Sequence, residues 1–275
     1  MDLKEQAISL QENGFIVIEN VLTSDECDTY KSMLERDYLL HKDNYVGSNT
    51  KDHGLNNKVS EKTVYNMHNK DIKYFDLFDH NKTLPLINYM LQQGSYDNSE
   101  PVNLLNISAR CPLQGSAKQQ LHLDSNLPGK NGYPLILVAL FMLDDFNENN
   151  GSTIVVPKSH LRDCYAETGK NYDDEVIVNA KHGSVLIFNG ALWHGASEKL
   201  SSLSRWAVVL GYGRWFIKPS FDFVRNTPDS IFNQLSDERK RLIGLDTAPP
   251  LDEFTRVTRR SEQVEYIPGY RVGCN

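Results

Sequence analysis

Cysteine is scarce in this 275-residue chain: four residues, at positions 27, 111, 164 and 274. They form no C-x-x-C pair and lie too far apart to suggest a disulfide framework, so reduced, mostly buried thiols are expected. Long apolar runs are missing too. Nothing approaches the roughly 18–20 apolar residues that span a bilayer, and the opening MDLKEQAISLQENG has neither the basic nor the apolar segment of a secretory leader. No membrane association and a cytoplasmic location are the expectations. Excess positive charge is also lacking: 29 Lys and Arg face 36 Asp and Glu, for a net charge of −7. That argues against nucleic acid as a partner, because phosphate recognition needs a basic face. The basic clusters DERKR (237–241) and TRRSE (258–262) are mixed with acids and read as solvated faces. No glycine-rich turn follows a strand-like run and no βα alternation is visible, which excludes a dinucleotide-binding domain. There is no internal repeat.

What is present is a chain that changes character near residue 100. In the N-terminal third, Leu3, Ala7 and Leu10 give helical periodicity that Gly14 ends, and FIVIENV (15–21) alternates like a strand. Thr23 and Glu26 have the spacing of a capping box, which predicts a helix through TSDECDTYKSMLERDYLL. Residues 41–64 are polar and read as a long loop of the kind that covers active sites. PLINYMLQQG (85–94) reads as another helix. From 102 onward, short strand-like runs follow one another: VNLLNISARC, QQLHLD, LILVALFML, STIVVP, EVIVNA, SVLIFNG and RWAVVLGYGRWF. Short strands at this spacing predict an all-β sandwich or barrel. The fold expected is mainly β with flanking helices, a jelly roll in a single domain: residues 1–100 give helices, a strand and a loop, 101–216 the jelly-roll core, and 217–275 a helical extension, notably IFNQLSDERKRLIGL.

Within QQLHLD, His122 and Asp124 stand at i and i+2, so a strand aims both at one point. An imidazole and a carboxylate suit a borderline divalent metal. Two histidines and one carboxylate on one face of an octahedron make the facial triad that leaves three positions open on iron. Alone, H-x-D is as readily a hydrogen-bonded surface pair. Of the other histidines, His194 follows the apolar run SVLIF between Trp193 and Gly195, where a side chain can be held by packing yet face a cavity; it reads equally as a satisfied core histidine. Arg205 opens an otherwise apolar strand and calls for a carboxylate partner, either a protein acid or a ligand.

With HLDS (122–125), LDDFNENNGSTIVVPKSH (143–160), GSVLIFNGALWHGAS (183–197) and SRWAVVLGYG (204–213) in this order, residues 100–216 resemble the phytanoyl-CoA dioxygenase family of Fe(II)- and 2-oxoglutarate-dependent oxygenases; ENGFIVIENVLTSDEC (12–27) is similar to the family's opening strand and helix. The resemblance implies a double-stranded β-helix. It implies that His122, Asp124 and His194 bind Fe(II), and that Arg205 grips the distal carboxylate of the cosubstrate 2-oxoglutarate, with O2 as oxidant. It assigns Asn150, Gly151, Pro157 and His160 to the scaffold. Lys158 stands where the family commonly has glycine, a change expected to matter little, and the family's asparagine beyond the distal histidine is absent from SEKLSS. The family's contact near the 1-carboxylate of 2-oxoglutarate falls by counting on the apolar Ile107. Asp124 leaves no room for the halide of the related halogenases, which favours hydroxylation.

The expected partner is a small-molecule substrate lying between the jelly-roll mouth and the N-terminal loop, with Tyr65, Asn66, His68, Asn126 and Arg214 as candidate lining residues. Two other readings stay open: a cupin-type metal isomerase, which needs no Arg205, and a non-catalytic jelly-roll binding protein.

Overall fold

The first helix is fixed at both ends by its own sequence. Asp2 accepts the Glu5 N–H at 2.9 Å while the Asp2 N–H donates to the Glu5 carboxylate at 2.8 Å. This capping box starts α1 (Leu3–Asn13), and Gly14, at φ 85°, ends it in the left-handed region that glycine enters without penalty. β1 (Phe15–Ile18) follows, then α2 (Ser24–His41). The T-x-x-E box forms as expected: the Thr23 N–H donates to Glu26 at 2.8 Å and the Glu26 N–H donates to the Thr23 hydroxyl at 3.3 Å. The computed structural model describes residues 1–41, 61–95, 100–129 and 132–247. Most of the expected covering loop (42–60), with Cys274 and the end of the helical extension, therefore lies outside the described residues. The loop's last residues are not loop: they open β2 (Glu61–Tyr65). Two short helices, α3 (Phe75–Phe78) and α4 (Leu84–Gln92), precede the β region.

Seven more strands follow: β3 (Val102–Pro112), β4 (Ile136–Met142), β5 (Thr153–Val155), β6 (Val176–Ile177), β7 (Val185–Asn189), β8 (His194–Ala196) and β9 (Ala207–Arg214). They form two antiparallel sheets, a large one ordered β1-β7-β4-β9-β3-β2 and a small one ordered β6-β5-β8. The large sheet buries both faces, as its near-continuous apolar strands require. One face packs under the helices through Leu104, Ile107, Ala139, Ile187, Leu210 and Tyr212 against Leu10, Leu34, Phe75 and Ile87. The opposite face meets the small sheet through Val138, Leu140, Leu186 and Phe188 against Val155 and Val178. The jelly roll is thus a sandwich whose second core opens at one end.

Three expectations change. QQLHLD is not a strand: it meets β8 of the small sheet by an isolated bridge, His122 to His194, and by the Gln119 N–H donating to the Ala196 carbonyl at 2.9 Å. The three-residue β8 was not foreseen, because HGA carries no strand pattern of its own. The C-terminal helical run is split, with α5 (Phe223–Asn226), α6 (Asp229–Phe232) and α7 (Asp237–Leu242) in place of one helix over 231–245, since the Ser236 hydroxyl accepts the Arg239 N–H and starts a new helix. Cys27 and Cys111 are buried, but Cys164 is exposed. Among the described residues no helix is long and apolar enough to cross a membrane.

Candidate metal centre

The open end of the sandwich is where the segment before β4 folds over β8. His122 and His194 exchange backbone bonds, each N–H donating to the other's carbonyl at 2.9 Å. The Asp124 and Ser125 N–H groups both donate to the Gly190 carbonyl, at 2.7 and 2.9 Å. This close approach explains Gly195: a Cβ there would meet the Gln119 carbonyl oxygen at 2.9 Å. The H-x-D segment is therefore held by the β7–β8 turn rather than by a ladder of its own, and it still turns both side chains the same way.

Ligand atoms of His122, Asp124 and His194 all lie within 4.8 Å of one another. Asp124 Oδ1 is 3.8 Å from His122 Nε2, and Asp124 Oδ2 is 3.5 Å from His194 Nε2. The ring centroids of the two histidines are 4.2 Å apart. Each Nδ1 lies 3.0 Å from a backbone carbonyl oxygen, of Gln120 for His122 and of Leu192 for His194. Carbonyls only accept, so both Nδ1 atoms carry the proton and both Nε2 lone pairs face inward, the arrangement of a metal-ligating histidine. Among the described residues this is the one group of three or more such side chains able to hold a metal.

The ligands open on a cavity of about 190 Å³ between the sheets. Leu140, Phe188 and Val209 give it an apolar floor, and Asn106, Ser108, Gln119 and Thr153 polar walls. Arg205 enters the same cavity. It is 6% exposed, its guanidinium lies 4.5 Å over the Phe146 ring, and its Nε has no hydrogen-bond partner. Burial pushes its pKa down to about 10, with nearby Cys111, Glu61 and Asp144 offsetting part of the shift. No carboxylate of the described residues forms an ion pair with it. Its backbone is fixed on both sides: the Arg205 N–H points to Cys111 Sγ at 3.4 Å and the Trp206 N–H donates to Asp144 at 2.8 Å. A buried cation without a counter-ion, at the end of a cavity that begins with three metal-ligand atoms, fits a chelating ligand with a distal carboxylate.

The other expected contacts are placed elsewhere. Ile107 belongs to the core beneath the helices. Its neighbours Asn106 and Ser108 face the cavity, because successive strand residues point to opposite faces and a count off by one reverses the side. His68 is fully buried, packs edge-on against Phe223 at 4.9 Å, and has no partner for either ring nitrogen. Arg214 sits at the far end of β9 and donates to the Pro134 and Gln93 carbonyls. Asn126 is exposed with φ 57°, and Tyr65 and Asn66 do not line the cavity. His160 is scaffold: its Nε2 meets the Gln11 carbonyl at 2.9 Å. The cavity residues that sequence reasoning missed carried a signal, since Asn106, Ser108 and Arg110 form a polar stripe of period two between the apolar Leu105, Ile107, Ala109 and Cys111.

The sequence matches the family model described as Phytanoyl-CoA dioxygenase (PhyH) over residues 10–207. A relative named dioxygenase trt7, from Aspergillus terreus, is 26% identical over 202 residues, covering 71% of this chain and 68% of its own. An uncharacterized protein of Mycobacterium tuberculosis is 30% identical over 114 residues, a match that spans 42% of either chain. Among solved structures, HygX from Streptomyces hygroscopicus with nickel and 2-oxoglutarate bound superposes with a TM-score of 0.60 at 20% identity, covering 78% of this chain and 88% of that one. The 2-oxoglutarate-dependent epimerase SnoN of nogalamycin biosynthesis gives 0.58 at 17% identity, covering 83% and 90%. At such identities the two structures establish the fold they share with this chain.

Proposed function

The chain belongs to the phytanoyl-CoA dioxygenase family, and we propose that it is an Fe(II)- and 2-oxoglutarate-dependent dioxygenase that hydroxylates an unactivated C–H bond of a small metabolite or natural-product intermediate. The observation that carries this reading is Arg205, a guanidinium buried without a counter-ion in the cavity that also holds the ligand atoms of His122, Asp124 and His194. Those three side chains would hold Fe(II) through two Nε2 atoms and one carboxylate. Iron bound there with 2-oxoglutarate and O2 supplies oxidation of a C–H bond, with release of succinate and CO2. The residues supply placement. Arg205 neutralises and orients the distal carboxylate, and Asn106 and Ser108 offer polar groups along the cavity wall. Leu140, Phe188 and Val209 keep the floor free of water. A small-molecule substrate agrees with the solved structures of this fold, since HygX holds hygromycin B and SnoN holds nogalamycin RO.

The test is succinate formation on incubation with Fe(II), 2-oxoglutarate and O2 across a metabolite library. Turnover is expected in the wild type, and loss of at least about 100-fold in kcat/KM for 2-oxoglutarate in Arg205→Ala, as for a buried charge pair worth about 3 kcal/mol. A cupin-type isomerase would instead keep its activity in Arg205→Ala and release no succinate. A non-catalytic binding protein would take up neither Fe(II) nor 2-oxoglutarate.

A further inference from the structure

One surface segment reaches all three candidate ligands. Residues 162–175 run over the outside of the H-x-D segment, between β5 and β6, and make an anchor within two positions of each ligand. Two residues before His122, the Gln120 side-chain oxygen accepts the Gly169 N–H at 3.0 Å, and the Gln120 carbonyl is the oxygen that takes the His122 Nδ1 proton. Two residues after Asp124, the Asn126 carbonyl accepts the Tyr165 hydroxyl at 2.9 Å, at a residue whose left-handed backbone turns the chain away from the site. One residue before His194, the Trp193 indole N–H donates to the Cys164 carbonyl at 3.2 Å. The Tyr172 ring lies 5.1 Å from the same indole and the Arg162 guanidinium 4.7 Å above it. Lys118, at the start of the H-x-D segment, donates to Asn171 and Glu175 at 2.8 and 2.6 Å.

We propose that residues 162–175 act as a strap that positions the metal ligands, with Gln120 and Tyr165 as its positioning residues. The inference rests on the metal reading above. The physical ground is that the H-x-D segment has no sheet ladder. Its backbone is tied on the inner side to Gly190 and His194, and the strap supplies the outer ties. Bonds that fix the orientation of a ligating imidazole set its affinity for metal. Tyr165 is 57% exposed and Gln120 is also exposed, so removing either polar group empties no core.

Co(II) binding to the purified full chain, followed by visible absorption, provides the test, with melting of the metal-free protein as control. Gln120→Ala and Tyr165→Phe together are expected to weaken Co(II) binding by about 10-fold or more and to alter the absorption band. The melting temperature of the metal-free protein should stay within a few degrees. Gln120→Glu keeps an acceptor for Gly169 and should restore most of the affinity. Unchanged Co(II) affinity and spectrum in the double variant overturn the strap while leaving the metal site standing. Loss of affinity in step with a large fall in melting temperature, not restored by Gln120→Glu, also overturns it by assigning the residues to general stability. Failure of the wild type to bind Co(II) removes the metal reading and the strap with it.

Discussion

Keeping a guanidinium from water without an anion opposes folding, and Arg205 is the residue where that cost is concentrated. Replacing a buried charge by an apolar side chain of similar length commonly stabilises by about 1–3 kcal/mol. Arg205→Met is therefore expected to raise the denaturant midpoint of the metal-free protein, while 2-oxoglutarate with Mn(II) no longer raises its melting temperature as it does in the wild type. A variant less stable than the wild type would show that the cation has a counter-ion. Lys158 carries a smaller strain. It adopts φ 63°, in the left-handed region that glycine enters without penalty. A side chain there costs about 1–2 kcal/mol, and glycine returns part of that in chain entropy. Lys158→Gly should thus stabilise by about 0.5–1 kcal/mol in urea unfolding. At this scale the candidate ligands stand out in the sequence because their chemistry is local: H-x-D, a histidine beside a glycine, an arginine in apolar surroundings. Ile107, His68 and Arg214 stand away from the cavity for reasons local pattern does not contain: one residue of parity turns Ile107 to the other sheet face, Arg214 lies at the far end of β9, and His68 sits in a short turn packed on Phe223.

β2 shows how an element is held at the sheet edge. Lys62 donates to both Glu35 oxygens at 2.8 and 2.9 Å, and Glu35 also accepts the Trp206 indole N–H at 2.8 Å. One carboxylate on α2 thereby ties the edge strand to the residue next to Arg205. Glu35→Ala leaves a donor unsatisfied on Trp206, which is 1% exposed, and should cost about 1–2 kcal/mol. Thermal unfolding would register it, while Glu35→Gln, which keeps an acceptor, should lose less. Most elements were legible from periodicity and caps: α1, β1, β4, β5, β6, β7 and β9 lie within their expected runs, and α2, α4 and β3 overrun theirs by one residue. Two short segments were not. β8 is a strand only because β5 pairs with it through Ile154 and Gly195. QQLHLD looks like a strand and is denied a ladder by the turn at Gly190. Each of these outcomes belongs to a partner distant in the chain, which local pattern does not contain.

Across the whole molecule the histidines withdrawn from water contribute to the response to acid. Burial pushes His68 down to about 3 from an ordinary 6.5, and burial also lowers His80 and His160. The unfolded chain takes up a proton at His68 as pH falls through 6.5, whereas the folded chain resists until about 3. The stability that His68 contributes is thus complete above pH 6.5 and is lost progressively between 6.5 and 3. Urea midpoints should fall over that window, and His68→Leu should flatten the slope. An unchanged slope would mean that His68 is protonated in the folded protein.

The mutual backbone bonds of His122 and His194, with the Gln119 N–H donating to the Ala196 carbonyl at 2.9 Å, join the H-x-D segment to the small sheet. Every opening of that seam separates the two imidazoles, so a ligand bridging them must also restrain the amides behind them. Those two amide protons are natural isotopic sensors of site occupancy: deuterium uptake at His122 and His194 should slow on metal binding and quicken again on chelation, with amides in the middle of β4 unaffected.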